Sequence, residues 1–282
     1  MLHDTELTKE LAAIRMRFIG RIEEWLPSME CVLADLEVGM FSKTDLKGLR
    51  NRLHKIAGSA GSFGFSRLSV VASELERHLD LMRMTGYAVK SVAGMLPYFN
   101  VFLDESRNLI ATSRDMSFGA INAVDEERTS QRASDAPPEA ALMAATAAPR
   151  EPLILIVDDD DLMRAYLTTG LAQNGWSFIE AVDGQRALDL LNELACDPRS
   201  RCPDLIVMDV EMPEMDGFIA MTKIKDSPAL KDIPIMMLTA RDEDISYIRG
   251  YAKGAVEYLT KPVELPVLEK VVQNLLRQPL VS

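Results

Sequence analysis

Five short apolar runs in the second half of the chain limit its fold more than any other feature. "LILIV" (153–157), "SFIEA" (177–181), "DLIVMD" (204–209), "IPIMMLT" (233–239) and "VEYL" (256–259) are each too short for an ordinary helix and rich in β-branched and aliphatic residues. Amphipathic stretches separate them near 161–174, 184–195, 215–226 and 242–251, and another follows near 264–277. Strands that are apolar almost without a break must be covered on both faces. Their alternation with helices therefore predicts an α/β domain with a doubly wound, five-stranded parallel sheet. In such sheets, sites form beyond the C-terminal ends of the strands.

The first half follows another rule. Residues 5–110 show helical apolar spacing, hold two prolines (Pro27 and Pro97) and contain no strand-like alternation. Segments near 6–36, 44–63, 66–84 and 87–110 predict an all-α antiparallel bundle. Between the halves, "SDAPPEAALMAATAAPREP" (134–152) and the polar stretch before it read as a linker. The division is thus 1–111, 112–151 and 152–282, in keeping with a length of 282 residues. No apolar run approaches the ~20 residues of a membrane span, and the first twenty residues lack a signal-peptide layout, so a soluble cytoplasmic protein is expected. Cys31, Cys196 and Cys202 have no metal-ligand spacing and read as incidental reduced thiols.

Charge is concentrated at one end. Residues 1–110 carry 14 basic and 14 acidic side chains, whereas 152–282 carry 13 against 22. An acidic domain is a poor nucleic-acid surface and a good cation site. Its carboxylates fall at strand ends: Asp158 and Asp159 after the first, Asp209 at the end of the third. Thr239 ends the fourth, and Lys261 follows the fifth. Carboxylates packed this closely repel one another unless a cation intervenes, and hard oxygen donors favour Mg²⁺. A carboxylate nucleophile beside Mg²⁺, with a hydroxyl and an ammonium for phosphoryl oxygens, is equipment for phosphoryl transfer to Asp. Asp160 and Asp161 read as helix-cap or turn residues.

"ILIVDDD", "DLIVMDVEMPEMDG", "PIMMLTA" and "EYLTKP" closely resemble the response-regulator receiver domain, over about 152–279. The resemblance implies a flavodoxin-like fold with Asp209 as phosphoryl acceptor. It implies Mg²⁺ held by Asp159, Asp209 and the backbone carbonyl of Glu211, assisted by Asp158 through a water. Thr239 and Lys261 would contact phosphoryl oxygens, and Tyr258 occupies the switch-aromatic position. Gly217 and Pro262 match turn positions, with a cis peptide before Pro262. Glu211 and Arg241 stand where the family tunes dephosphorylation. The haloacid-dehalogenase-like phosphatases use similar groups, but their acidic pair comes last, and here it comes first.

An acceptor Asp needs a donor. In "LHKIAGSAGSFGF" (53–65) helical spacing puts Leu49, Leu53, Ile56, Ala60 and Phe63 on a core stripe, and His54, Gly58, Gly61 and Phe65 nearly opposite. Interior glycines weaken a helix by roughly 1 kcal/mol each. Here they clear the ground beside the histidine for another protein surface. Lys47 and Arg50 lie upstream on the same side and would complement an acidic rim. The stretch resembles the histidine phosphotransfer (HPt) domain, loosely over 5–110, which implies that His54 is the phosphohistidine. Where that family commonly has Lys three residues after the histidine, this chain has Ala57, with Lys55 next to His54 instead. His3 and His78 lack the glycine setting.

These features predict a two-component phosphorelay protein that carries phosphoryl groups on His54 and Asp209 and signals by phosphorylation-dependent docking. No kinase nucleotide-binding motif is recognisable, so the chain reads as a carrier rather than an enzyme. Its expected partners are a sensor or hybrid histidine kinase and that kinase's receiver, and downstream another HPt domain, regulator or enzyme, with neither DNA nor membrane. The alternatives are a kinase-docking scaffold that is not phosphorylated, or the regulatory part of a longer enzyme such as a nucleotide cyclase. A linker of about 39 residues spans on the order of 35 Å, which allows His54 to meet Asp209 of its own chain or a foreign receiver.

Overall fold

The computed structural model of the chain describes residues 2–84, 90–121, 150–239 and 254–277. The N-terminal unit is a bundle of α1 (Leu2–Glu37), α2 (Lys43–Ala60), α3 (Ser66–Met84) and α4 (Lys90–Ile121). Helix α2 starts because Ser42 caps it, its hydroxyl accepting from the Asp45 amide at 3.1 Å. Leu49, Leu53, Ile56, Ala60 and Phe63 are all buried, the stripe that helical spacing predicts. Gly64 then turns the chain toward α3 with φ of 87°, a left-handed conformation that glycine adopts freely. Helix α4 continues past residue 111 to Ile121. The remainder of the linker, 122–149, lies outside the described residues.

The C-terminal unit is a five-stranded, all-parallel sheet in the order β2-β1-β3-β4-β5. Its strands are β1 (Leu153–Val157), β2 (Ser177–Ala181), β3 (Leu205–Asp209), β4 (Ile235–Thr239) and β5 (Glu257–Thr260). Strand β4 begins two residues after the apolar run does, because Pro234 has no amide to donate; its carbonyl instead accepts from Ile206. Helices α5 (Asp161–Leu171), α6 (Gly184–Cys196), α7 (Gly217–Asp226) and α8 (Leu265–Arg277) cover the faces. The helix expected near 242–251, together with Arg241, lies outside the described residues. Strands β1 and β3 are neighbours at the point where strand order reverses, so their C-terminal ends open the crevice in which such sheets hold their sites.

The two units share one apolar cluster. Phe18 and Phe63 of the bundle join Tyr166, Leu167, Val263 and Leu268 of the sheet unit, and Phe63 meets Tyr166 edge to face at 5.3 Å. Ser62 Oγ accepts from the Val263 amide at 2.8 Å. At Gly61 a β-carbon would stand 2.5 Å from Pro262 Cβ, so this glycine is where the bundle touches the loop after β5. Among the described residues no helix is long and apolar enough to cross a membrane.

Candidate functional site

Parallel strands of similar length end on one rim, and the chain places its chemistry there. Asp158 and Asp159 follow β1, Asp209 closes β3, Thr239 closes β4, and Lys261 follows β5. Asp158, Asp209 and Thr239 are buried. Lys261 Nζ lies 3.0 Å from Asp158 Oδ2 and 3.1 Å from Asp209 Oδ1, and the Lys261–Pro262 peptide is cis. Gly217 packs so closely on β3 that a β-carbon would stand 2.2 Å from the Asp209 carbonyl oxygen.

Carboxylate oxygens of Asp158, Asp159 and Asp209 lie within 4.8 Å of one another, an all-oxygen group able to hold a hard divalent cation. Burial pushes the Asp158 carboxyl above the usual range, Lys261 opposes the shift, and Asp209 adds to it. Burial alone would lower the Lys261 ammonium, but Asp158 and Asp209 outweigh it and raise the group instead. The cluster is thus short of positive charge, which a divalent cation would supply.

His54 of α2 faces this rim. His54, Lys55, Gly58 and Ser59 line a narrow cavity whose far wall is Asp158, Asp159, Asp160, Asp209 and Lys261. His54 Nδ1 is 3.0 Å from Oε1 of the buried Glu76 on α3 and 3.5 Å from Oε2 of Glu211, two residues after Asp209. Arg50 ties these acids together, 2.7 Å from Asp80, 3.2 Å from Glu76 and 3.5 Å from Glu211. Burial lowers the imidazolium, but the hydrogen bond and charge of Glu76, with Glu211 and Asp209, raise it to about 9.

The bundle also grips the residue beside the rim. Asp160 caps α5, as expected, by accepting from the Leu162 amide. It further accepts from Ser59 Oγ at 2.6 Å and Arg21 at 2.5 Å, and Arg21 also reaches Asp161. Burial raises the Asp160 carboxyl, but Arg21 and Ser59 outweigh it and hold the group below the usual range. Lys55 Nζ sits 2.8 Å from Asp159 Oδ2.

The structure therefore brings together His54, Asp158, Asp159, Asp209 and Lys261, with the Glu211 side chain beside the histidine. Thr239 and Tyr258 do not line this cavity. Tyr258 is half-buried against a second apolar cluster on β5. Lys47 is exposed, and of the two upstream cations it is Arg50 that reaches the rim. Ala57 is buried, its carbonyl accepting from Ser69 Oγ at 2.6 Å, so the position that departs from the family pattern faces inward. Sequence reasoning missed Glu76, Arg21 and Ser59. Glu76 had a signal: it lies four residues after Ala72 and three before Leu79, a charge on the buried stripe of α3. Arg21 and Ser59 had none, since their partners are in the other unit.

An acidic rim on a doubly wound sheet, met by a histidine from a helical bundle, defines a pair of phosphoryl-carrier modules. Residues 154–273 match the response regulator receiver domain, and residues 19–96 match the Hpt domain. The chain thus carries an Hpt domain followed by a receiver domain, the two kinds of module that make up a two-component phosphorelay. Among its relatives are the transcriptional regulatory protein AfsQ1 of Streptomyces coelicolor (37% identical over 118 residues, 42% of this chain and 48% of that one) and the response regulator PleD of Caulobacter vibrioides (43% over 79 residues, 28% and 17%). Another is the sensor histidine kinase CheAY of Helicobacter pylori (31% over 111 residues, 39% and 13%). The chain spans less than half the length of each of these curated relatives.

Proposed function

We propose that the chain passes a phosphoryl group between His54 and Asp209 within one molecule. The observation that carries this reading is that both residues line one narrow cavity, together with Lys261 and Asp159. Glu76 accepts from Nδ1 of His54 and thereby leaves Nε2 as the nitrogen that bears the phosphoryl group. An Asp209 carboxylate oxygen attacks phosphorus, the new O–P bond forms as the P–Nε2 bond breaks, and the imidazole leaves as the electron pair returns to Nε2. That nitrogen then takes up a proton, which the acids beside the ring favour. Proton capture by the leaving imidazole favours transfer from His54 to Asp209. Lys261 neutralises phosphoryl oxygens, and the Thr239 hydroxyl, at the end of β4 but outside the lining of the cavity, donates to one when the phosphoryl group is present.

Asp158, Asp159 and Asp209 suit Mg²⁺, with the Glu211 carbonyl as a further ligand. The cation, when bound, offsets charge that gathers on the phosphoryl oxygens. The chain acts as a carrier and takes phosphate from a sensor or hybrid histidine kinase or its receiver, a role supported by the pairing of Hpt and receiver domains. Labelling by a phosphorylated upstream receiver tests the reading in wild type, His54→Gln and Asp209→Asn. The first substitution should abolish the acid-labile, base-stable label of phosphohistidine. The second should leave label stranded on His54. Unchanged labelling in both variants contradicts the proposal.

A further inference from the structure

Resting on the cation assignment above, we infer that Lys55 is a built-in counter-cation of the receiver's acidic cluster, so that its ammonium and a divalent cation compete for Asp159. Lys261 contacts Asp158 and Asp209, and Lys55 contacts Asp159, so each of the three carboxylates already has an ammonium beside it. The Lys55 ammonium also donates to the Asp159 backbone carbonyl at 3.2 Å, which fixes it at the rim. The cavity between the units has about 10 Å³ of free space, no more than one water needs. Mg²⁺ keeps several waters in octahedral geometry, so it cannot enter while the lysine stays in place.

Withdrawal of Lys55 demands little. Its side chain is 29% exposed, and other ties between the units, such as Arg21 to Asp160 and Ser62 to Val263, do not depend on it. The lysine beside the histidine thus gates cation entry: the closed arrangement sets two ammonium groups against the three carboxylates without a metal, and the metal displaces one of those side chains to bind. This assigns a role to the residue that stands next to His54 where the family commonly has its lysine two positions further on.

Titration of the full-length chain with Mn²⁺, read by the electron paramagnetic resonance signal of the free ion, tests the inference without relying on phosphoryl transfer. Lys55→Gln should bind Mn²⁺ roughly fivefold more tightly than wild type, as loss of one competing charge at a partly exposed site implies. Lys55→Arg, which keeps the charge, should stay close to wild type. Asp159→Asn should lose most of the binding. If Lys55→Gln binds no more tightly than wild type, or Lys55→Arg binds as tightly as Lys55→Gln, the competition is overturned while the cation site stands. If Asp159→Asn binds as wild type does, the cation assignment itself fails, and the inference with it.

Discussion

His54 on α2 and Glu76 on α3 form a hydrogen-bonded pair 3.0 Å apart, with the carboxylate buried and the imidazole at the edge of the receiver's acidic rim. Glu76 orients the ring and holds its proton. Replacing it with Gln should lower the imidazolium from about 9 toward the ordinary value of about 6.5, read from the Cε1–H resonance in a pH titration. Because the folded value is the higher one, the stability from this pair is fully present below about pH 6.5 and is lost as pH rises through about 9. A His54 titration that does not move in Glu76→Gln removes this role.

Gly61→Ala should separate the two units without harming the bundle. Its backbone is right-handed helical, with φ −62° and ψ −43°, so Ala fits locally and strengthens the helix end by up to about 1 kcal/mol. The added carbon would meet Pro262 at 2.5 Å. Small-angle scattering should show a larger radius of gyration, and transfer from His54 to Asp209 should slow about tenfold or more. A variant as compact as wild type would mean that the contact is not a close one.

Arg21→Ala leaves Asp160 buried with one cation fewer, a loss on the order of 3 kcal/mol that falls on the closed arrangement. Acid should act in the same direction. The Asp160 carboxyl is held below its usual range, so its contribution is present above about pH 3.9 and is lost as pH falls through the lower folded value. Energy transfer between dyes on the bundle and the receiver reports both effects. Equal transfer efficiency in Arg21→Ala and wild type would rule out Arg21 as a clamp.

Gly217→Ala should destabilise the receiver by about 3 kcal/mol, because its β-carbon has no room beside the Asp209 carbonyl and either β3 or α7 must shift. Thermal unfolding checks this, and the bundle transition should stay where it is. An unchanged receiver transition would show that the β3–α7 turn relaxes freely.

Much of the rim was legible because strand ends are marked in sequence. A run of apolar residues that stops at Asp158, Asp209 or Thr239 states both the position and the side on which the residue lies. The glycines near His54 were legible as cleared ground, and the structure puts Lys261 beside Gly58 and Pro262 beside Gly61. What occupies that ground was not legible, since a linker of this length permits many arrangements. Asp160 shows why: its cap to Leu162 follows from local spacing, whereas its bonds to Arg21 and Ser59 depend on how two surfaces far apart in sequence meet. Lys55 is similar, an ordinary exposed lysine until the rim is placed against it.

Transfer between His54 and Asp209 of one chain has a direct kinetic signature. Wild type loaded with ³²P at His54 by labelled phosphoramidate in the presence of a chelator, then started with excess Mg²⁺, reports it through loss of base-stable label. The rate should be first order and unchanged across a hundredfold dilution, and Asp209→Asn should retain the label. A rate that falls in proportion to protein concentration would place the transfer between molecules and contradict the account.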